Sequence, residues 1–337
     1  MTRTTTLGGT ASDIVVGKVA HGLMLMTWKQ DPVPDEQCFE AIKAGIDTLP
    51  PGAKMLLVAG EFYGHNLSTT NLEMIARFFE KYPSYADKAF LSVKGGLAPN
   101  SYHPDCSPAN LRRSVETINE KLRGTKRLDL FESARVDPNV PIEVSIAALA
   151  ELKNEGKLDH IGMSECSAAS LRRGNAIHPI SVVEIEISPW SCEEETKNVI
   201  ATANELGIAV AGYAPLGRGF LTGQIKRFED LPEGDFRRTL PRFQEDVMRH
   251  NFAIVDALSD IAKKKNVTSA QLSIAWVGAL GPHVIPLPGS SHAKRTLENC
   301  AGGDIELTQE ELDEINRVID TADIQGGRYA TAATLWG

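Results

Sequence analysis

The sequence predicts an α/β chain folded as a (β/α)8 TIM barrel. Eight short apolar runs alternate along it with longer segments whose apolar residues recur at spacings of three and four. No linker or change of composition divides the series, so one barrel domain is expected over residues 1–337. The competing fold, a doubly wound open sheet, lacks its G-x-G-x-x-G turn, because Gly212, Gly217 and Gly219 fall late and out of that spacing.

The strand-like runs are Lys18–Leu25, Lys54–Val58, Ala89–Val93, Leu128–Phe131, His160–Met163, Val182–Ile187, Ile208–Ala211 and Val284–Leu287. Continuous apolar character suits parallel strands covered on both faces. Helical spacing is found over Asp35–Ala44, Asn71–Lys81, Ala109–Leu122, Ile142–Asn154, Glu193–Leu206 and Asn251–Lys264. Ser107-Pro108 reads as an N-cap with proline in the first turn, and Pro141 with Glu143 opens a helix in a similar way. Gly156 and Gly207 stand where two helices stop. The charged stretch 224–244, with Pro232, Gly234 and Pro241, is expected as a long loop over one barrel mouth, a lid in form.

The formal net charge of −9 argues against general nucleic-acid binding and against an anionic membrane surface. A local basic pocket for one phosphate is compatible with it. No run of 18 apolar residues occurs, and the Thr-rich start has no basic region followed by an apolar core, so no membrane span or secretory signal is expected. The five cysteines are scattered, with no Cys-x-x-Cys pair. They read as reduced thiols of a cytoplasmic or nuclear protein, without a metal.

In such a barrel the site is built from the C-terminal ends of the strands. There the sequence places Glu61 to His65, Lys94-Gly95-Gly96, Glu132 to Pro138, Ser164-Glu165-Cys166, Glu184 and Glu186 with Ser188-Pro189-Trp190, Tyr213 to Gly217, and Pro288 to Ser291. Tyr63 and Lys94 follow neighbouring strands. An ammonium favours phenolate and makes a phenol a better proton donor, which suits protonation of an oxyanion formed by hydride addition to a carbonyl. After the last strand, Ser290 and Ser291 open a helix that continues through Lys294, Arg295, Glu298 and Asn299. Free N–H groups at a helix start, with Ser and Arg donors, attract a phosphate.

These residues lie in segments that resemble the aldo-keto reductases nearly end to end. The segments are Gly60-Glu61-Phe62-Tyr63-Gly64, Ser92-Val93-Lys94-Gly95-Gly96, Arg135-Val136-Asp137-Pro138, Leu152 to Lys157, Ile161 to Glu165, Tyr213 to Leu221, and Ile285 to Ser290. Within that family the chain is most similar to fungal pyridoxal reductases, through Lys54-Met55-Leu56-Leu57, Glu61-Phe62-Tyr63-Gly64 and Phe131 to Pro138. The resemblance implies a metal-free barrel with NADPH (NADP⁺ when oxidised) extended across its mouth. It makes Tyr63 the proton donor and Lys94 its pKa-lowering partner. It places Ser164 and Glu165 on the nicotinamide carboxamide and Tyr213 against the ring. Glu184 stands where the family's carboxamide-binding glutamine would be. Leu216, Gly217 and Arg218 pass beneath the pyrophosphate. Ser290, Ser291 and Arg295 hold the 2′-phosphate, with Glu298 and Asn299 near the adenine. Lys294 and Arg295 favour NADPH over NADH.

The chain departs from the family's Asp–Tyr–Lys–His tetrad at two positions. Val58 stands in place of the Asp and Ala134 in place of the His. Without the Asp, a buried Lys94 is expected to lose its counter-charge and its pKa to fall. Ala134 cannot hydrogen-bond a carbonyl oxygen but leaves room for a bulkier substrate, and Glu132, on the same strand face, is a possible substitute, as are Glu61 and His65. Trp28 and Trp190 are expected to line the substrate pocket, among the mouth aromatics Phe62, Tyr102 and Trp336.

Three readings stand open at this point. One is an NADPH-dependent reductase of an aldehyde or ketone, a pyridoxal-like aromatic aldehyde by resemblance. Another is altered chemistry on the same scaffold: conjugated C=C reduction, isomerisation or dehydration. The third is a non-catalytic NADPH-binding regulator, as the potassium-channel β subunits of this superfamily suggest.

Overall fold

The computed structural model describes residues 1–329 and 335–337. Eight parallel strands follow one another around a nearly closed barrel in chain order. They are β3 (His21–Gly22), β4 (Met55–Gly60), β5 (Ala89–Gly95), β6 (Leu130–Ser133), β7 (His160–Ser164), β8 (Val182–Glu186), β9 (Ala209–Tyr213) and β10 (Val284–Leu287). The ring closes where the Ala20 N–H donates to Pro286 O at 2.9 Å and the Gly22 N–H to Pro288 O at 3.0 Å. A hairpin of β1 (Thr4–Thr6) and β2 (Val15–Gly17) lies at the opposite end, and Leu7, Ala11, Val16 and Ala20 plug the barrel floor.

Period-two alternation decides what each strand puts inside. Leu56 and Val58, Phe90, Leu130, Val182, Ala209 and Ala211, and Ile285 and Leu287 form an inner apolar cluster. Their neighbours, such as Leu57, Leu91, Phe131 and Val183, face the helices in the larger outer core. Continuing the same alternation toward the C-terminal ends reaches Lys94, Glu132, Glu184, Glu186 and Tyr213. The floor of the barrel is therefore apolar and its mouth is charged.

The strand expectations hold with small shifts. The first run contracts to β3, because Leu23 takes up a helical conformation that leads into α1 (Met24–Thr27). The helices α2 (Asp35–Ile46), α3 (Thr70–Lys81), α4 (Pro108–Leu122), α5 (Ile142–Asn154) and α7 (Glu194–Leu206) match their predicted segments closely. The Ser107 side chain accepts from the Asn110 N–H, and Gly207 caps α7 with φ +66°. α8 (Glu245–Lys265) begins earlier than expected, with acidic residues in the first turn, where the helix dipole favours them. The helices α6 (Ala168–Ile177), α9 (Ser269–Ala279) and α11 (Gln309–Thr321) were not distinguished in the sequence, while α10 (Ala293–Gly302) follows the serine turn as expected. α9 is apolar nearly all round and buried, so no stripe marks it. No helix among the described residues is long and apolar enough to cross a membrane.

The stretch 224–244 folds as short 3-10 turns that bury Leu231, Leu240 and Phe243. Arg237 donates to Arg218 O at 2.9 Å, and Arg242 to Trp190 O at 2.8 Å. These bonds tie the stretch to the loops after β8 and β9. Beyond α11 the chain returns to the mouth. Asn251 of α8 holds it there, donating to Gln325 O at 3.0 Å and accepting from the Gln325 N–H at 2.9 Å.

Asn251→Ala leaves both peptide groups of Gln325 without these partners. We expect a loss of about 1–3 kcal/mol in urea unfolding. Amide exchange at Gln325 should accelerate in the same variant, and unchanged exchange would show that Asn251 does not hold this segment.

Candidate active site

Tyr63 sits just beyond β4, its ring packed over Gly60. A Cβ at Gly60 would come within 2.7 Å of that ring, so this strand end requires glycine. Buried Asn71 of α3 fixes the loop from behind. It donates to Thr27 Oγ1 at 2.8 Å, and Thr27 donates to the Tyr63 carbonyl at 2.5 Å. Glu61 points away toward α4, accepting from Arg113 at 2.6 Å and Ser114 at 2.5 Å. It and the exposed His65 are thus not placed to replace the missing histidine.

Lys94, at the end of β5, is buried with its ammonium 5.7 Å from the Tyr63 ring centroid. Its counter-ion comes from across the barrel. Glu184 of β8 accepts from Lys94 Nζ with both oxygens, at 2.6 and 2.7 Å. Glu132, paired in register with Lys94 on β6, places Oε1 at 3.7 Å from the same nitrogen. The expected fall of the Lys94 pKa is therefore overturned. Burial does disfavour the charged form, but Glu184, Tyr63 and Glu132 outweigh it and hold the ammonium above its ordinary range. Tyr63 also differs from expectation. Lys94 pulls its pKa down, but burial and the carboxylates of Glu184 and Glu132 win, and the phenol is pushed up to about 12.

Val58 lies in the inner apolar cluster opposite Ser92, so no carboxylate comes from β4. Ala134 closes a small apolar cluster with Phe62, Tyr63 and Leu97. Glu132, expected among substrate-facing residues, is fully buried beside Lys94. Above this floor, Trp28 stacks on Tyr63 with centroids 5.1 Å apart and 22° between planes. Phe62 meets Trp28 edge-on at 5.7 Å, and Tyr102 stacks outside it at 6.4 Å. Trp190 does not join them. It is buried against Phe220 at 4.5 Å and belongs to the outer core, which corrects its expected place in the pocket.

A second polar cluster adjoins the first. Glu165, in a left-handed turn with φ +48°, accepts from the Glu186 N–H at 3.1 Å. Arg328 reaches Glu165 at 3.1 Å and Glu186 at 3.5 Å, and Arg218 reaches Glu186 at 3.1 Å. Tyr213 Oη shares a hydrogen bond with Tyr329 Oη at 3.1 Å. Ser164 is buried at the end of β7. Gly217 and Arg218 turn the chain after Leu216 with positive φ, and a Cβ at Gly217 would strike the Trp190 indole. Arg328, Tyr329, Thr27 and Asn71 carried no motif signal, since only the folded chain brings them to the mouth.

At the far end of the mouth, buried Ser290 accepts from the His292 N–H at 3.1 Å. His292 precedes α10 without a side-chain cap, so the first N–H groups of that helix keep capacity for an anion. Lys294 and Arg295 are exposed in the first turn beside half-buried Ser291. Glu298 instead accepts from Thr268 at 2.8 Å, and Asn299 is buried behind it.

Comparison with known proteins identifies the family. Residues 18–320 match the model of the Aldo/keto reductase family. The chain is 37% identical over 319 residues to "Probable pyridoxal reductase 2" of Schizosaccharomyces pombe, covering 93% of this chain and 95% of that one. It is 39% identical over 260 residues to "Aldo-keto reductase str7" of Strobilurus tenacellus, covering 77% and 76%. Among solved structures, glycerol dehydrogenase AKR11B4 from Gluconobacter oxydans superposes with a TM-score of 0.80 at 23% identity, covering 98% of this chain and 99% of that one. The chain is an oxidoreductase that belongs to the aldo/keto reductase family.

Proposed function

We propose that the chain is an NADPH-dependent carbonyl reductase that uses Tyr63 as its proton donor and takes a flat, aromatic aldehyde or ketone. The observation that carries this is the buried Tyr63–Lys94 pair, with Lys94 kept charged by Glu184. NADPH when bound supplies hydride to the carbonyl carbon. The mouth suits it: an uncapped helix start with Ser290, Ser291, Lys294 and Arg295 for the 2′-phosphate, the left-handed turn at Gly217–Arg218 for the pyrophosphate, and Tyr213 for the ring. Arg328 and Tyr329 lie on Glu165 and Tyr213, the residues that would meet the nicotinamide end.

In this reading the Tyr63 hydroxyl donates to the oxygen of the substrate, and the proton passes to that oxygen as charge develops on it. Lys94 stabilises the phenolate that remains. The raised phenol keeps Tyr63 protonated throughout the neutral range, as reduction requires. Trp28, Phe62 and Tyr102 offer ring faces and edges to an aromatic substrate. Ala134 leaves the carbonyl oxygen without the family's histidine donor, so positioning rests on Tyr63. The names of the pyridoxal reductases of Schizosaccharomyces pombe and Saccharomyces cerevisiae make a pyridoxal-like aldehyde the leading substrate.

Three outcomes test the reading. Tyr63→Phe should lower NADPH-dependent turnover of aromatic aldehydes by at least about 100-fold, the scale of a lost general acid. NADPH binding, followed by its fluorescence, should persist, and full turnover would reject Tyr63 as the donor. Arg295→Ala should weaken NADPH by roughly tenfold, as for a hydrogen bond to a charged group, and leave NADH unchanged. Equal losses for both cofactors would remove the 2′-phosphate assignment. Restoring the family pair with Val58→Asp and Ala134→His should lower Tm and turnover. It adds a third carboxylate beside Lys94 and a larger ring to a filled apolar cluster. A gain in activity would show that those positions limit the reaction.

A further inference from the structure

Two buried carboxyl groups face one buried ammonium in this barrel. Glu184 takes both of its hydrogen bonds from Lys94. Glu132 stands beside them with almost no compensation of its own. Its Oε1 receives the Ser92 hydroxyl at 3.3 Å and lies 3.7 Å from Lys94 Nζ. Its Oε2 has no hydrogen-bond partner among the described residues. A second full negative charge here would be enclosed with nothing to balance it, which is a costly arrangement. A proton on Glu132 removes that charge and gives the carboxyl an O–H to direct at the neighbouring carboxylate.

We propose that Glu132 and Glu184 form a carboxylate pair that shares one proton and jointly keeps Lys94 charged, both acting as positioning residues for the Lys94–Tyr63 pair. The proposal rests on the carbonyl-reductase reading of the site and adds how the site does without an acid on β4. Burial and the adjacent charge of Glu184 raise the Glu132 carboxyl well above the ordinary carboxylate range, as sharing requires. The groups that face Glu132 are Lys94 and Ser92 from β5, Glu184 from β8, Tyr63 above, and the Cys166 thiol after β7, which feels the Glu132 charge. Beneath it Leu130, Phe90 and Val182 are apolar and supply no further charge.

Shared duty makes the pair partly redundant. When Glu184 is made neutral, Glu132 loses the neighbour that kept it protonated, ionises, and becomes the counter-ion of Lys94. When Glu132 is made neutral, Glu184 remains. The enclosed group is neutral overall in the wild type and in both single variants. Only the loss of both carboxylates leaves Tyr63 and Lys94 with a buried net positive charge. That charge is relieved by loss of a proton at lower pH.

The test compares Glu132→Gln, Glu184→Gln and the double variant in full-length protein. Each single variant should lose carbonyl turnover several-fold, because the Lys94 geometry loosens, and keep a flat pH profile up to pH 10. The double variant should lose on the order of tenfold more than the product of the singles, as for strongly coupled sites. Its activity should also fall along an alkaline limb displaced downward by about two pH units. A second measurement needs no substrate. The ¹³C shifts of labelled Tyr63 Cζ and Lys94 Cε, assigned with Tyr63→Phe and Lys94→Met, should move between pH 7 and 10 in the double variant alone. In a Lys94→Met background the two glutamate substitutions should become simply multiplicative. Multiplicative losses with Lys94 present, a limb in either single variant, or static shifts in a folded double variant would each overturn the proposal. If the shifts behave as described but no carbonyl is reduced, the pair stands and the reductase reading falls.

Discussion

The bond between Lys94 and Glu184 spans the barrel, from the end of β5 to the end of β8. An unpaired ammonium at this depth would shed its proton, and an unpaired carboxylate would take one up. The pairing therefore keeps Lys94 in its charged form despite its burial, and the surrounding strands supply the enclosure that makes the pairing matter. The inner apolar cluster lies beneath it, and Trp28 lies over the Tyr63 ring beside it. The tyrosine depends on this pair in two opposed ways. Burial makes its phenol a weaker acid than in water, and the carboxylates beside the ammonium act in the same sense, whereas the ammonium itself pulls the other way. The resting site holds its proton firmly, and a developing alkoxide, a much stronger base than phenolate, can still draw it away.

Much of the fold was legible because strand and helix periods are local properties. Alternation of short and long apolar patterns gave the barrel, and Ser107 and Gly207 gave helix ends that the structure retains. Two features were hidden for physical reasons. α9 is buried on all sides and shows no stripe, and the floor hairpin begins in a threonine run whose β-branched character carries little information without its partner strand. In the site, Tyr63 and Lys94 could be found from strand ends and resemblance. The role of Glu184 could not, because it depends on which carboxylate crosses the barrel to reach Lys94. Losing an acid at Val58 looks in sequence like losing a charge pair, and in the folded chain the pair is rebuilt from another strand. Trp190 fails as a pocket residue for a similar reason: its partners Phe220 and Phe243 come from later loops, and they bury it.

The second cluster ties the two halves of the mouth together. Glu165 and Glu186 stand on consecutive strand ends, and each accepts an arginine from another part of the chain. Arg328 arrives after α11, Arg218 from the turn after β9, and Arg242 lies beside them from the 224–244 stretch. These guanidiniums keep two buried carboxylates compensated and give the loops over the mouth fixed anchor points. A loop held by such bonds can be rigid without being part of the core, and the aromatic rings of Tyr213 and Tyr329 add a neutral bond to the same arrangement.

The stack of Trp28 on Tyr63 has an optical consequence. Of the chain's four tryptophans, Trp190 is sealed in the outer core, and Trp276 is buried with its indole N–H donated to Asn316. Trp336 lies at the tail beneath Arg328. Trp28 alone is in van der Waals range of the phenol, half-open to solvent and flanked by Phe62 and Tyr102. Its emission thus reports on this one ring. All four indoles absorb at the red edge of the protein spectrum, and the Trp28 share of the emission is the part that a change at the Tyr63 ring reaches, with no dye attached.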